Sequence, residues 1–281
     1  MTNAKTKVAD PDISPPRFSP EDTIKAFELA MGSKNIELKM SVPVKDYRAT
    51  MACIGFDPVE VQPRQVYFFD TPDQSLNKAG LIVRARRIQG GSGDTVVKLR
   101  PVDPATIDAK LRDSRNFKIE LDAMPGGYVC SASAKGVCSG QEVLDVIDGA
   151  VSLRSLFSNE QRDFYDAHAP EGIKMKSLLP LGPTFLLKAK HQPKEFKRGI
   201  TIEMWLYPDG SRVVEISTKC LPLEAFHVAA EFKSFLAGCG ISISGIQESK
   251  TKTAMDYFKT QLESAQSVGN EAKKMTSKAC P

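Results

Sequence analysis

Histidine is scarce in this chain, with three in 281 residues, His168, His191 and His227, in unrelated segments. That scatter argues against a histidine-based triad or zinc site as the organising chemistry. The six cysteines, at 53, 130, 138, 220, 239 and 280, show no C-x-x-C spacing. Neither a zinc site nor a disulfide framework is therefore expected, and free, mostly buried thiols are the default. No stretch approaches the ~18 consecutive apolar residues of a membrane span. The opening "MTNAKTKVADPDISPPRFSP" lacks the apolar core of a signal peptide, so a cytoplasmic protein without a membrane partner is expected. Charge of one sign is also lacking: 38 basic residues face 34 acidic ones, a net +4, too small an excess to predict a nucleic-acid partner. The glycine-rich "GGSGDT" is not followed by G-x-x-x-x-G-K-[ST], so it reads as a hairpin turn and not a phosphate-binding loop.

What is present is hydrophobic residue enough, 41%, to bury a sizeable core. Residues 1–18 are proline-rich and predicted to be a disordered tail. Ser19 is expected to cap a helix with Pro20 at its first position, with Ile24, Phe27 and Met31 on one side and Gly32 as its stop. A single domain is expected over 19–262, and a polar tail over 263–281.

Within that domain one pattern recurs. In "GLIVRARRIQGGSGDTVVKLRP", residues 80–101, two strands flank a glycine-rich turn. Arg84 and Arg86 share one face and Val83 and Ala85 the other; Lys98 and Arg100 oppose Val97 and Leu99 in the same way. "NIELKMSVP", "NFKIELDA", "TFLLKAK", "ITIEMWLYPDG" and "SRVVEISTKC" repeat the design. A strand from about Val66 to Phe69 precedes the hairpin. Residues 124–183 interrupt the pattern with helical spacing at Val143, Ile147 and Val151, and are expected to be a helical insertion that covers the sheet or makes a dimer contact. Two helices, about 222–238 and 249–262, close the domain.

A face meant only for water would mix Ser, Thr and Gln among its charges, and would not need an apolar opposite face on every strand. An α+β fold satisfies the pattern: a closed β-barrel whose charged faces line a tunnel and whose apolar faces lie under helices. The lumen then holds Lys39, Arg84, Arg86, Lys98, Arg100, Lys118, Lys188 and Lys190 beside Glu37, Glu120, Asp122, Glu203 and Glu215. Confined charges need partners. The cations call for a multiply charged anion, for which paired arginines and phosphate oxygens are matched. Carboxylates beside phosphates suggest Mg²⁺ or Mn²⁺.

"IELK", "YFFDTPDQSLNKAGLIVRARR", "VVKLR", "FKIELD", the Lys188 strand and "EMWLYPDGSRVVEIS", in this order over about residues 34–260, resemble the CYTH domain, or triphosphate tunnel metalloenzymes. The resemblance implies an eight-stranded antiparallel tunnel, and a family that includes adenylate cyclases, tripolyphosphatases, thiamine triphosphatases and RNA triphosphatases. It implies metal ligands Glu37, Glu203 and Glu215, with Glu120 and Asp122 orienting basic residues or holding a second metal. It implies substrate binding by Lys39, Arg84, Arg86, Lys98, Arg100, Lys188 and Lys190, with Lys39 and Arg86 as catalytic candidates. Two positions depart from the family's pattern: Asn35 and Ser217 stand where it carries glutamates, which weakens the expected metal site. Metal-dependent hydrolysis of a triphosphate, cyclisation of ATP, and binding of polyphosphate or nucleotide without turnover remain three open readings. Trp205 is expected to pack at the rim or stack on an organic ring. Lys250 and Lys252 are read as a plain helix surface in preference to a closure of one mouth.

Overall fold

The computed structural model describes residues 20–241, 250–251 and 253–261. The expected tails at 1–18 and 263–281, the Ser19 cap, Lys252 and Cys280 lie outside the described residues.

Among the described residues nine strands close into one barrel. In chain order they are β1 (Asn35–Val42), β2 (Gln62–Asp70), β3 (Leu81–Ile88), β4 (Gly93–Leu99), β5 (Phe117–Met124), β6 (Gly127–Cys138), β7 (Leu179–His191), β8 (Ile200–Leu206) and β9 (Arg212–Cys220). Around the barrel the order is β1-β5-β6-β4-β3-β2-β7-β8-β9, with β9 pairing back onto β1. This corrects the expected eight antiparallel strands in two respects. The added strand is β6, inside the stretch expected to be helical insertion. A closed ring of an odd number of strands cannot alternate direction throughout, so one parallel seam is forced; it lies between β1 and β5, where Glu37 is in register with Asp122.

Side-chain alternation holds as the sequence pattern requires. In β1, Ile36, Leu38, Met40 and Val42 are buried on the outer face while Glu37 and Lys39 face the lumen. In β3 and β4, Val83, Ala85 and Val97 are buried outside, with Leu99 packed against the same core.

Helices cover that outer face. α1 (Pro20–Met31) docks through Ala30, whereas Ile24 and Met31, placed on the buried side by the sequence pattern, are exposed. Residues 140–168 do cover the sheet: α5 (Gly140–Ile147) and α6 (Asn159–His168) each start at a serine capping box. They bury Val143, Phe164 and Tyr165 against the barrel, whereas Val151 is exposed. Gly136 of β6 shows how close the approach is, since a Cβ there would lie 2.6 Å from both Gln161 Oε1 and Thr95 Oγ1. α2 (Tyr47–Ile54) and α7 (Ala225–Gly238) are linked by a Cys53–Cys239 disulfide, Cα atoms 5.4 Å apart. This corrects the expectation of free thiols for that pair, while Cys130, Cys138 and Cys220 are free and buried. The two partners are 186 residues apart, so no local spacing announces them.

The short helix α3 (Ser75–Lys78) follows a loop organised by Asp70, whose carboxylate accepts from the backbone amides of Thr71, Leu76 and Asn77, and a second short helix, α4 (Ala109–Asp113), precedes β5. No described helix is long and apolar enough to cross a membrane.

Candidate functional site: a charged tunnel with one filled end

Lumen-facing side chains fall into an apolar end and a charged remainder. At the apolar end Val66, Phe68, Leu186, Trp205 and Val213 point inward and pack with Ala254, Met255 and Phe258 of the helical residues 253–261. Gln74 Nε2 donates to the Met255 carbonyl, and Tyr207 Oη donates to the Lys250 carbonyl at 3.0 Å. The C-terminal helical segment therefore sits in the barrel end as a stopper. Trp205 is 2% exposed and belongs to this packing, its indole N–H donating to Glu203 Oε2 at 3.3 Å. The packing expectation for Trp205 is met, and stacking on an organic ring is not available to it.

Lys250 corrects the sequence reading, because it is not on a helix surface. Its ammonium reaches into the lumen between Glu203 (2.5 Å) and Glu215 (2.7 Å), 5.6 Å from the Trp205 ring centre. Burial disfavours the charge, but the two carboxylates outweigh it and raise the Lys250 pKa. Lys188 holds the other side of Glu203 at 2.7 Å. Burial pushes the Glu203 carboxyl up, yet Lys250 and Lys188 together hold it well below the usual carboxylate range.

Next to this group three arginines share one wall. Arg86 makes a bidentate pair with Asp94, with contacts of 2.6–2.9 Å. Arg64 donates to Gln62 at 2.7 Å, but its buried Nε has no partner among the described residues. Arg84 is the outlier: its buried Nε lacks a hydrogen-bond partner among the described residues. Burial first, and the neighbouring Arg86 second, push its pKa down to about 10. Asp94 and Glu203 offset part of that repulsion, but a half-buried guanidinium with an unsatisfied Nε beside two other arginines is a costly arrangement in a free protein and a ready anion site.

The third group surrounds Asp122. Lys39 lies 3.0 Å from its carboxylate, with Arg100 at 3.7 Å and Lys98 at 3.9 Å. Burial opposes the Lys39 ammonium, yet Asp122 and Glu37 raise its pKa. Lys98 goes the other way: burial lowers it to about 8, helped by Lys39 and Arg100 and resisted by Asp122. Toward the open mouth Lys219 and Lys135 hold Glu120 at 2.5 and 3.5 Å. Burial there raises the Glu120 carboxyl, but Lys135 and Lys219 bring it down to about 2. A cleft of about 440 Å³ lined by Lys190, Thr201, Ser217 and Lys219 opens at this mouth. Lys118 and Lys190 are exposed.

The tunnel thus brings together Lys39, Arg84, Arg86, Lys98, Arg100 and Lys188, and leaves Lys190 at the rim. Sequence reasoning missed Arg64, Asp94, Lys135 and the role of Lys250. Arg64 had the parity of Val66 and Phe68 as a signal, and Asp94 was absorbed into the turn.

A preformed divalent site is a separate matter. Among the described residues no three acidic, histidine or cysteine groups converge as a metal would need. Glu37 accepts from Ser217 Oγ at 3.0 Å and pairs with Lys39 at 3.5 Å; Glu203 and Glu215 hold Lys250; Glu120 and Asp122 hold other cations. As arranged, these carboxylates fit ammonium groups and do not fit Mg²⁺ or Mn²⁺.

No family model matches this chain, and no curated protein matches its sequence. Solved structures do resemble it. A candidate adenylate cyclase from Bacillus halodurans is 16% identical over 79% of this chain and 97% of its own, with a TM-score of 0.55. A candidate adenylyl cyclase from Hippeastrum, described as having a dominant triphosphatase activity, is 17% identical over 75% of this chain and 91% of its own, with a TM-score of 0.56. Likeness over such shares of both chains shows a shared fold, the closed barrel with helices outside it.

Proposed function

We propose that the tunnel binds a small molecule carrying a triphosphate and hydrolyses it. The observation that supports this reading best is Arg84, a half-buried arginine whose buried Nε has no hydrogen-bond partner among the described residues, flanked by Arg64 and Arg86 and continued along the lumen by Lys188, Lys39, Lys98 and Arg100. Such a row suits a chain of phosphates: guanidinium groups bind phosphate oxygens in pairs, and fixed cations offset charge that develops on those oxygens as an anhydride breaks. Lys39 and Arg86 are the catalytic candidates in this reading. Each is held in place by a carboxylate, Asp122 and Asp94 respectively. Mg²⁺ or Mn²⁺ enters the reading only as a companion of the substrate's own phosphate oxygens. The partner is a small molecule, with no nucleic acid or membrane required, and a cytoplasmic setting suits a triphosphate substrate.

Binding without turnover is the second reading, favoured by one observation: Glu203 and Glu215 are occupied by Lys250. Cyclisation of ATP has the names of the structural neighbours in its favour, but no residue pattern in the sequence points to ribose or adenine. A panel of tripolyphosphate, ATP and thiamine triphosphate, each with Mg²⁺ or Mn²⁺, separates the three. Release of phosphate supports hydrolysis, pyrophosphate with cyclic AMP identifies a cyclase, and binding without product identifies a binder.

A further inference from the structure

Glu203 on β8 and Glu215 on β9 are direct neighbours in register, both on the lumen face and both buried. Two carboxylates so placed repel each other and need a cation between them. A divalent ion is one solution; this chain contains another. Lys250, from a segment far along the sequence, spans the pair with contacts of 2.5 and 2.7 Å. It is held there by a helical segment that is itself anchored, through Ala254, Met255 and Phe258 in the apolar end and through Gln74 and Tyr207 at its backbone. The indole face of Trp205 flanks the ammonium, a further favourable contact for a cation.

We propose that Lys250 is a built-in cation that takes the place between Glu203 and Glu215 which a divalent metal would require, so that this carboxylate pair serves to position a lysine and does not bind metal in the free protein. The ammonium is close enough to Lys39 and Glu37 to influence both electrostatically. Lys250 therefore neutralises its own carboxylate pair and acts on the group around Lys39 and Glu37, without any ion from solution. Its role is that of a positioning residue supplied by the stopper helix.

Mn²⁺ alone, titrated into metal-free protein and followed by electron paramagnetic resonance and calorimetry, tests this without depending on which phosphate compound the tunnel takes. The native protein is expected to bind Mn²⁺ only weakly. Lys250→Met exposes two buried carboxylates that lack a counter-ion, so it is expected to lose stability in metal-free buffer and to bind Mn²⁺ about a hundredfold more tightly than native, regaining stability as it does. Lys250→Arg keeps the charge and is expected to show neither the gain in Mn²⁺ binding nor its stabilisation. Stoichiometric, tight Mn²⁺ binding by the native protein overturns the proposal however the variants fold. So does a Lys250→Met protein that is as stable as native and no better at binding Mn²⁺.

Discussion

At the scale of single residues, the tunnel's chemistry rests on groups that the fold leaves uncomfortable. Arg84 is held at a cost: its buried Nε has no hydrogen-bond partner among the described residues, and burial with the repulsion of Arg86 and Arg64 outweighs the attraction of Asp94 and Glu203. Replacing it by methionine, similar in length and uncharged, is expected to leave stability unchanged or improve it, because an incompletely satisfied charge crowded by two other arginines is removed. The same change is expected to weaken tripolyphosphate binding by about 1.5–3 kcal/mol, the worth of charge-assisted hydrogen bonds. Denaturant unfolding and calorimetry on one preparation measure both. A stability loss with unchanged binding would make Arg84 a structural residue.

Lys98 leads to a prediction about pH. Its pKa in the folded protein is lowered to about 8 from an ordinary 10.5. Between those values the unfolded chain holds a proton that the folded one has released, so unfolding takes up a proton and folding stability from this group rises with pH across that window. Below about 8 both states are protonated and the slope vanishes. A polyanion beside Lys98 favours the charged form, so binding tripolyphosphate near pH 8–9 is expected to take up protons and to weaken as pH climbs. Calorimetry in two buffers of different ionisation enthalpy counts those protons. A null count would mean that the anion does not reach Lys98.

At the scale of elements, strands with charged lumen faces were legible because alternation of Lys, Arg or Glu with Val, Ile or Leu has one simple meaning. β6 was not legible, because its lumen positions include Ser131 and Ser133 and its outer ones Ala132 and Ala134; small residues on both faces carry no period. The stopper was hidden for a different reason. Lys250 looks like any surface lysine until the helix is docked, and only tertiary packing turns its head inward. The Cys53–Cys239 bond likewise depends on α2 and α7 meeting. Cutting it with reductant, or by Cys53→Ser with Cys239→Ser, is expected to cost about 2–4 kcal/mol, since it closes a long loop in the unfolded chain. Affinity for tripolyphosphate should be unchanged, as the lumen contains neither cysteine. Equal unfolding midpoints with and without reductant would show that the bond adds nothing.

At the scale of the whole molecule, a barrel with basic side chains crowded along its lumen is stabilised by whatever anion enters it. Internal carboxylates answer part of that charge: Asp122 serves Lys39, Lys98 and Arg100, and Asp94 pairs with Arg86, while Arg84 feels Asp94 and Glu203 only at a distance and its Nε is unsatisfied among the described residues. Orthophosphate is short enough to meet one group of cations at a time. Tripolyphosphate carries three linked phosphates and, in the proposed binding mode, meets more than one group at once and relieves repulsion between them. A ligand that binds the folded state at about a hundred times its Kd adds about 2.7 kcal/mol. Tripolyphosphate is therefore expected to raise the melting temperature by several degrees, and orthophosphate or sulfate at equal ionic strength by much less. The controls matter because sulfate and phosphate also stabilise proteins by exclusion from their surfaces, an effect that does not depend on the tunnel. The increment specific to tripolyphosphate should shrink in Arg84→Met and fall with added salt, as expected for charges that are partly screened. Equal stabilisation by all three anions, or an increment indifferent to Arg84, would show that the lumen cations do not act as one site for a phosphate chain.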